Sequence, residues 1–138
     1  MTLVVVDASA FGPLILPDEH SDVIPEMLVA LRAGNAIAPQ HWPLEIASLM
    51  RMAVRRKRLN VFEFPEILSK LRGAMVKIDT ETSSEAWGGT LMLATRYDLT
   101  AYDAAYLELA VRTGFPLATL DKALSNAAIA ENIRVLSK

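Results

Sequence analysis

The sequence predicts an α/β fold, a parallel sheet covered by helices on both faces. Three observations predict it. Short apolar runs alternate with helical patterns along the whole chain. The first run, Leu3-Val4-Val5-Val6, is continuous rather than alternating, as in a strand buried on both faces. The length of 138 residues, 52% of them hydrophobic, suits one domain with a real core, expected to span residues 1–138.

Residues 3–6 form the first expected strand. Asp7-Ala8-Ser9-Ala10 follows and opens a short helix that ends near Pro13 or Pro17. Residues 22–31 read as a helix, with Ser21 or Asp22 as cap and Gly34-Asn35 as stop. Ala36-Ile37-Ala38 is a second strand, closed by Pro39. Pro43 suits the first turn of a long helix that runs to about Arg58. Residues 65–72 form another helix, stopped by Gly73, and residues 75–78 a third strand. The helix expected over 83–97 carries Gly88-Gly89, at a cost of about 1 kcal/mol per glycine. Residues 101–113 are helical up to Gly114, and 116–119 are a fourth strand. A last helix covers 121–130 and a last strand 133–136. No internal repeat, linker or low-complexity tract interrupts the pattern.

Composition excludes several classes. The chain has no cysteine, so a disulfide framework, a thiol nucleophile and cysteine-based zinc sites are ruled out. Two histidines argue against a His-rich metal site. A cytoplasmic, reducing compartment is compatible with this usage. No Lys or Arg precedes the apolar N-terminal run and Asp7 cuts it, so no signal peptide is expected. No uninterrupted apolar stretch of ~18 residues is present for a membrane span. A net charge of −2 and a pI near 5.7 argue against a nucleic-acid binder.

Ligands of such sheets sit beyond the C-terminal ends of the strands. Asp7 directly follows the first strand and Asp121 lies two residues past Thr119 of the fourth. Each alone reads as a cap of the following helix. Asp103 is different. On a wheel at about 100° per residue it shares the apolar face with Tyr106, Leu107 and Ala110. Glu108 and Arg112 fall on the far side, one turn apart, and read as a solvated ion pair. A buried carboxylate needs a partner or a metal, although a capping role for Thr100 or Asp103 is the alternative. Glu45, in Trp42-Pro43-Leu44-Glu45-Ile46, shares its side of the helix with Leu49 and Met52. It also reads as a first-turn glutamate favoured by the helix dipole. Together the four acids form an oxygen-only set that selects a hard divalent cation, Mg2+ or Mn2+. Such ions at a strand-end crevice suit phosphoryl chemistry.

Four blocks carry a family resemblance over essentially the whole chain. They are Val4-Val5-Val6-Asp7-Ala8-Ser9-Ala10, Pro43-Leu44-Glu45-Ile46-Ala47, Leu99-Thr100-Ala101-Tyr102-Asp103-Ala104-Ala105-Tyr106-Leu107-Glu108-Leu109-Ala110, and Pro116-Leu117-Ala118-Thr119-Leu120-Asp121. The chain resembles a PIN domain, specifically a VapC-type toxin ribonuclease of a toxin–antitoxin (VapBC) pair. The resemblance implies a three-layer α/β/α fold with a five-stranded parallel sheet of order 3-2-1-4-5. It implies a catalytic and metal-binding set of Asp7, Glu45, Asp103 and Asp121, supported by the hydroxyls of Ser9 and Thr119. The implied activity is Mg2+-dependent endonucleolytic cleavage of RNA, in which water activated by the cation attacks a phosphodiester. The products would carry a 5′-phosphate and a 3′-hydroxyl. Asp98 and Asn132 stand where the family often has glycine, and both residue types tolerate a left-handed turn.

Arg51, Arg55, Arg56, Lys57 and Arg58 place five of the 14 basic residues within eight positions. They read as a solvated helix end or as a contact to the RNA backbone. The arginines among them, Arg51, Arg55, Arg56 and Arg58, are the RNA-contact candidates. Trp42, Met50, Met52, Phe62 and Phe64 read as core. The resemblance adds a second expectation for them, a groove for a VapB-like antitoxin segment, and it implies a homodimer that forms a heterotetramer or larger assembly with the antitoxin. The competing reading is a catalytically idle PIN-like module that binds RNA or protein. A receiver or haloacid-dehalogenase phosphotransfer domain lacks support, because no second acid stands near Asp7. Two divalent ions would turn the net charge of −2 into +2 at the RNA site.

Overall fold

The computed structural model describes residues 2–138, Pro17 by its backbone alone. Five strands are present among the described residues: β1 (Val4–Val6), β2 (Ala36–Ala38), β3 (Lys77–Ile78), β4 (Leu117–Ala118) and β5 (Val135–Leu136). They form one sheet in the order β3-β2-β1-β4-β5, and all of its pairings are parallel. Val5 is in register with Ile37 on one side and Leu117 on the other, so the valine run is the central strand. Its three residues are buried, which explains why it reads as a continuous apolar run. This is the PIN-like α/β/α architecture and strand order that the resemblance implies.

Among the described residues, eight α-helical segments flank the sheet: α1 (Gly12–Ile15), α2 (Pro25–Arg32), α3 (Trp42–Arg55), α4 (Phe64–Gly73), α5 (Thr82–Glu85), α6 (Leu91–Tyr97), α7 (Ala101–Thr113) and α8 (Lys122–Ala130). The helix expected over 22–31 starts three residues late. Pro25 forces Ile24 into an extended conformation (φ −85°, ψ 112°), and Pro17–Asp22 forms 3-10 turns instead. The long helix ends at Arg55 rather than near Arg58, because Lys57 takes a left-handed conformation (φ 59°). An Asn60 capping box precedes α4, and Met75 (φ 51°), not Gly73, turns the chain after it. Asp98 and Asn132 are left-handed, at φ 52° and 62°.

The glycine pair breaks the expected helix over 83–97 into three parts. Between α5 and α6, residues Ala86–Thr90 form a π-turn, and Gly88 leaves helical values (φ −111°, ψ −108°). A Cβ on Gly89 would lie 3.3 Å from Glu108 Cγ, so the glycine allows the turn to lie against α7. The expectation of a solvated Glu108–Arg112 pair is overturned here. Glu108 is 5% exposed, and every residue of α7 from Ala104 to Ala110 is buried. Arg112 binds Glu108 (Nε–Oε2 2.8 Å) and also grips Asp79 with both terminal nitrogens, at 3.2 and 2.7 Å. The wheel assumed that α7 has a solvent face, but its middle turns have none. Among the described residues, no helix is long and apolar enough to cross a membrane.

Candidate functional site

Parallel pairing puts the residues after β1 and β4 at one edge of the sheet. Asp7 is the first residue past β1. It is 4% exposed and makes no side-chain cap to the turn it precedes, so the capping alternative fails. Two hydroxyls donate to its Oδ2 instead: Ser9 at 2.6 Å and Thr119, the first residue past β4, at 2.7 Å. Both hydroxyls also accept backbone bonds, Ser9 from Leu120 N and Thr119 from Asp121 N, each at 3.0 Å. The loops after β1 and β4 are thereby tied together around one carboxylate.

Glu45 sits in the first turn of α3, and the Tyr106 hydroxyl donates to its Oε1 at 2.5 Å. His41 Nε2 lies 3.0 Å from the Tyr102 carbonyl and 3.4 Å from Glu45 Oε1. A carbonyl only accepts, so this nitrogen carries the hydrogen. Asp103 is half-buried in the first turn of α7. Thr100 is the cap there, accepting from the Asp103 amide at 3.1 Å, which leaves the Asp103 carboxylate free of that task. Asp121 does cap α8, through Oδ1 to Leu124 N at 2.9 Å.

The acids feel one another. Burial pushes the Asp7 carboxyl up to about 6 against the opposing hydrogen bonds of Ser9 and Thr119, and the charges of Asp103 and Glu45 raise it further. Burial also raises Asp103, followed by the charges of Asp121 and Glu45. Burial, then the bond to Glu45, keeps the Tyr106 phenol protonated well above its usual range. No cationic side chain pairs with any of the four acids, His41 apart, among the described residues. No three of the described His, Asp or Glu side chains form a group able to hold a metal ion as they stand. Drawing like-charged carboxylates onto one point takes a cation. The donor set suits a hard one: oxygen throughout, with Asp7 Oδ1, Glu45 Oε2 and Asp121 Oδ2 accepting no hydrogen bond among the described residues.

The basic run lies elsewhere. Arg55 is ten residues beyond Glu45 on α3, about 15 Å along the helix axis, and Arg51 about 9 Å. Arg51, Arg55, Arg56 and Lys57 are exposed, whereas Arg58 is held by Asp18 at 3.0 Å and Glu19 at 3.2 Å. Of the aromatic and methionine set, Trp42 and Met50 are in the core and Phe62 is 87% exposed. None of the five lines the large apolar groove. That groove, about 870 Å³, runs between α1, α2 and α4, where Leu14, Leu28, Leu31, Ile67 and Leu71 meet. Sequence reasoning missed His41 and the polar role of Tyr106. A buried phenol one turn after Asp103 was the available signal, since a buried tyrosine hydroxyl needs a partner.

A family model described as PIN domain matches residues 4–130. Ribonuclease VapC3 of Pyrobaculum aerophilum is 31% identical over 125 residues, covering 88% of this chain and 91% of that one. A crystal structure of the Pyrobaculum aerophilum protein PAE2754 superposes with a TM-score of 0.65 at 22% identity, over 91% of this chain and 84% of the other. At that identity the superposition speaks for the fold alone.

Proposed function

The chain belongs to the PIN-domain family, in its VapC-type branch, and from that premise we propose that it is the toxin of a type II toxin–antitoxin pair, an endoribonuclease dependent on Mg2+ or Mn2+. Residues 1–138 act as a single PIN domain. The observation that carries the reading is Asp7: a buried carboxylate with only hydroxyl donors, raised to about 6 chiefly by burial and further by the charges of Asp103 and Glu45. A buried carboxylate with no ion-pair partner is costly, and a bound divalent cation would offset that cost.

Asp7, Glu45, Asp103 and Asp121 would hold the cation. When bound, it supplies positive charge that neutralises a scissile phosphate and eases loss of a proton from water. Ser9 and Thr119 hold one oxygen of Asp7 and leave the other without a hydrogen bond among the described residues. Asp121 fixes itself to the first turn of α8 through one oxygen and keeps the second free of hydrogen bonds among the described residues. Arg51 and Arg55, exposed on α3, and Arg56, exposed just past its end, are the candidates to meet RNA backbone away from the cut, and Arg58 joins them only if it leaves Asp18 and Glu19. The groove between α1, α2 and α4 is assigned to an apolar segment of a VapB-like antitoxin. A homodimer, and a heterotetramer or larger assembly with the antitoxin, complete the proposal, with the cytoplasm as its compartment.

The test is cleavage of structured RNA with Mg2+ and with EDTA. Wild-type protein should cut only with the metal, leaving a 5′-phosphate and a 3′-hydroxyl. Asp7→Asn and Asp103→Asn should each abolish cutting while the circular dichroism spectrum is retained. Full activity in both variants, or binding of RNA without cutting by the wild type, would sink the ribonuclease reading. The second outcome would favour an idle binding module.

A further inference from the structure

We propose that Tyr106, assisted by His41, is a positioning residue that fixes which oxygen of Glu45 faces the metal site and ties Glu45 to the helix that carries Asp103. The inference rests on the metal-site reading above and concerns residues outside the acidic set. Tyr106 is fully buried in α7, three residues after Asp103, so its ring is fixed by packing. Its hydroxyl reaches across to α3 and donates to Glu45 Oε1 at 2.5 Å. His41 Nε2, anchored on the Tyr102 carbonyl at 3.0 Å, approaches the same Oε1 at 3.4 Å. The His41 ring is held in turn by edge-to-face packing on Tyr102 and Tyr106, with centroids 5.5 and 5.2 Å apart. The phenol donates to one oxygen and the imidazole lies beside that same oxygen, while Glu45 Oε2 accepts no hydrogen bond among the described residues. Ser9 and Thr119 treat Asp7 the same way, both on Oδ2. The two arrangements share a design: donors rigidly placed by the fold occupy one oxygen and orient the other.

Glutamate in a first helical turn has three free rotors, and Glu45 is only partly buried, with 31% of its side chain exposed. Without the phenol, nothing from α7 would bind it. The distance between the Glu45 and Asp103 carboxylates would then be set by solvent and rotamer preference, not by the core.

The experiment measures Mn2+ binding without RNA, by loss of the free-ion electron paramagnetic resonance signal. It compares wild type, Tyr106→Phe, Glu45→Gln and the double variant, with urea unfolding of each. Outer-sphere partners of metal ligands contribute about 10–100-fold in affinity. Tyr106→Phe should therefore weaken Mn2+ binding by about tenfold, and should add little to the loss already present in Glu45→Gln. His41→Gln should show a smaller loss with the same non-additivity, and it serves if Tyr106→Phe fails to fold. A loss of stability with Mn2+ affinity unchanged would make Tyr106 merely structural and overturn the inference, as would full additivity with Glu45→Gln. If Glu45→Gln itself leaves Mn2+ binding intact while Asp7→Asn abolishes it, the metal site stands and the clamp falls. If neither acid matters, the metal-site reading falls with it.

Discussion

Replacing Asp7 by Asn should stabilise the metal-free protein at neutral pH while destroying its site. The carboxylate is 4% exposed, and its pKa rises from 3.8 to about 6 on folding. Two units correspond to about 3 kcal/mol of differential free energy. The sign follows from proton linkage. Below pH 3.8 both folded and unfolded chains hold the proton, and the group contributes nothing. Between 3.8 and about 6 the folded chain binds more protons, so stability falls as pH rises. Above about 6 the full cost is present. An asparagine keeps an oxygen for the Ser9 and Thr119 hydroxyls and carries no charge at any pH. The expected result, in urea titrations with EDTA, is a variant about 3 kcal/mol more stable than wild type near pH 8 and equal to it near pH 4. Saturating Mn2+ should narrow the gap near pH 8 by stabilising only the wild type. A gap that does not change with pH, or an Asn variant less stable than wild type near pH 8, would refute the reasoning.

Other elements give their own tests. Arg112→Met leaves Asp79 (7% exposed) and Glu108 (5% exposed) without their cation and should cost about 3–5 kcal/mol in urea unfolding. Burial alone would raise Asp79, but its bonds to Arg112 and Thr82 hold it below the usual carboxylate range, so this contribution should fade as pH falls through its folded pKa. Gly89→Ala forces a Cβ to 3.3 Å from Glu108 Cγ and should lose about 1 kcal/mol despite the better helix propensity, whereas a gain in melting temperature would refute the close-approach account. Reversing charge at Arg55 and Arg56 should weaken RNA binding and lower its salt dependence by about one to two phosphate contacts, and an unchanged salt slope removes them from the interface.

Most of the fold was legible because its signals are local. The Val4–Val6 run, Thr100 as cap, Gly114 as stop and the alternation of strands and helices all depend on neighbours in sequence. One boundary error was local, and another came where long-range packing decides. Pro25 set the start of α2 although Ser21 and Asp22 offered better caps. Gly89 had no local explanation, because the reason is the Glu108 side chain of α7 lying against the turn. The acidic set was visible from strand ends and from one misplaced carboxylate. The hydrogen bonds that orient it join residues 61 and 112 positions apart, beyond the reach of any periodicity.

Helix α7 carries both kinds of buried acid, and the contrast separates function from structure. Asp103 and Glu108 lie five residues apart, and both face away from bulk water to some degree. Glu108 has a guanidinium within 2.8 Å, shared with Asp79, and its burial is compensated by that pair. Asp103 has no ion-pair partner among the described residues; burial and the charges of Asp121 and Glu45 oppose its ionisation, and Thr100 and His41 favour it to a smaller degree. Stability alone would remove or pair such a group, as α7 does five residues later at Glu108. A fold that pairs one carboxylate and leaves the other among like charges spends stability at that point, and a divalent cation would return it on binding. The same logic applies to Asp7, where two hydroxyls orient the charge without neutralising it. If the proposed site binds a divalent cation, its affinity and the folding stability are opposed at these same atoms, and variants that gain one should lose the other.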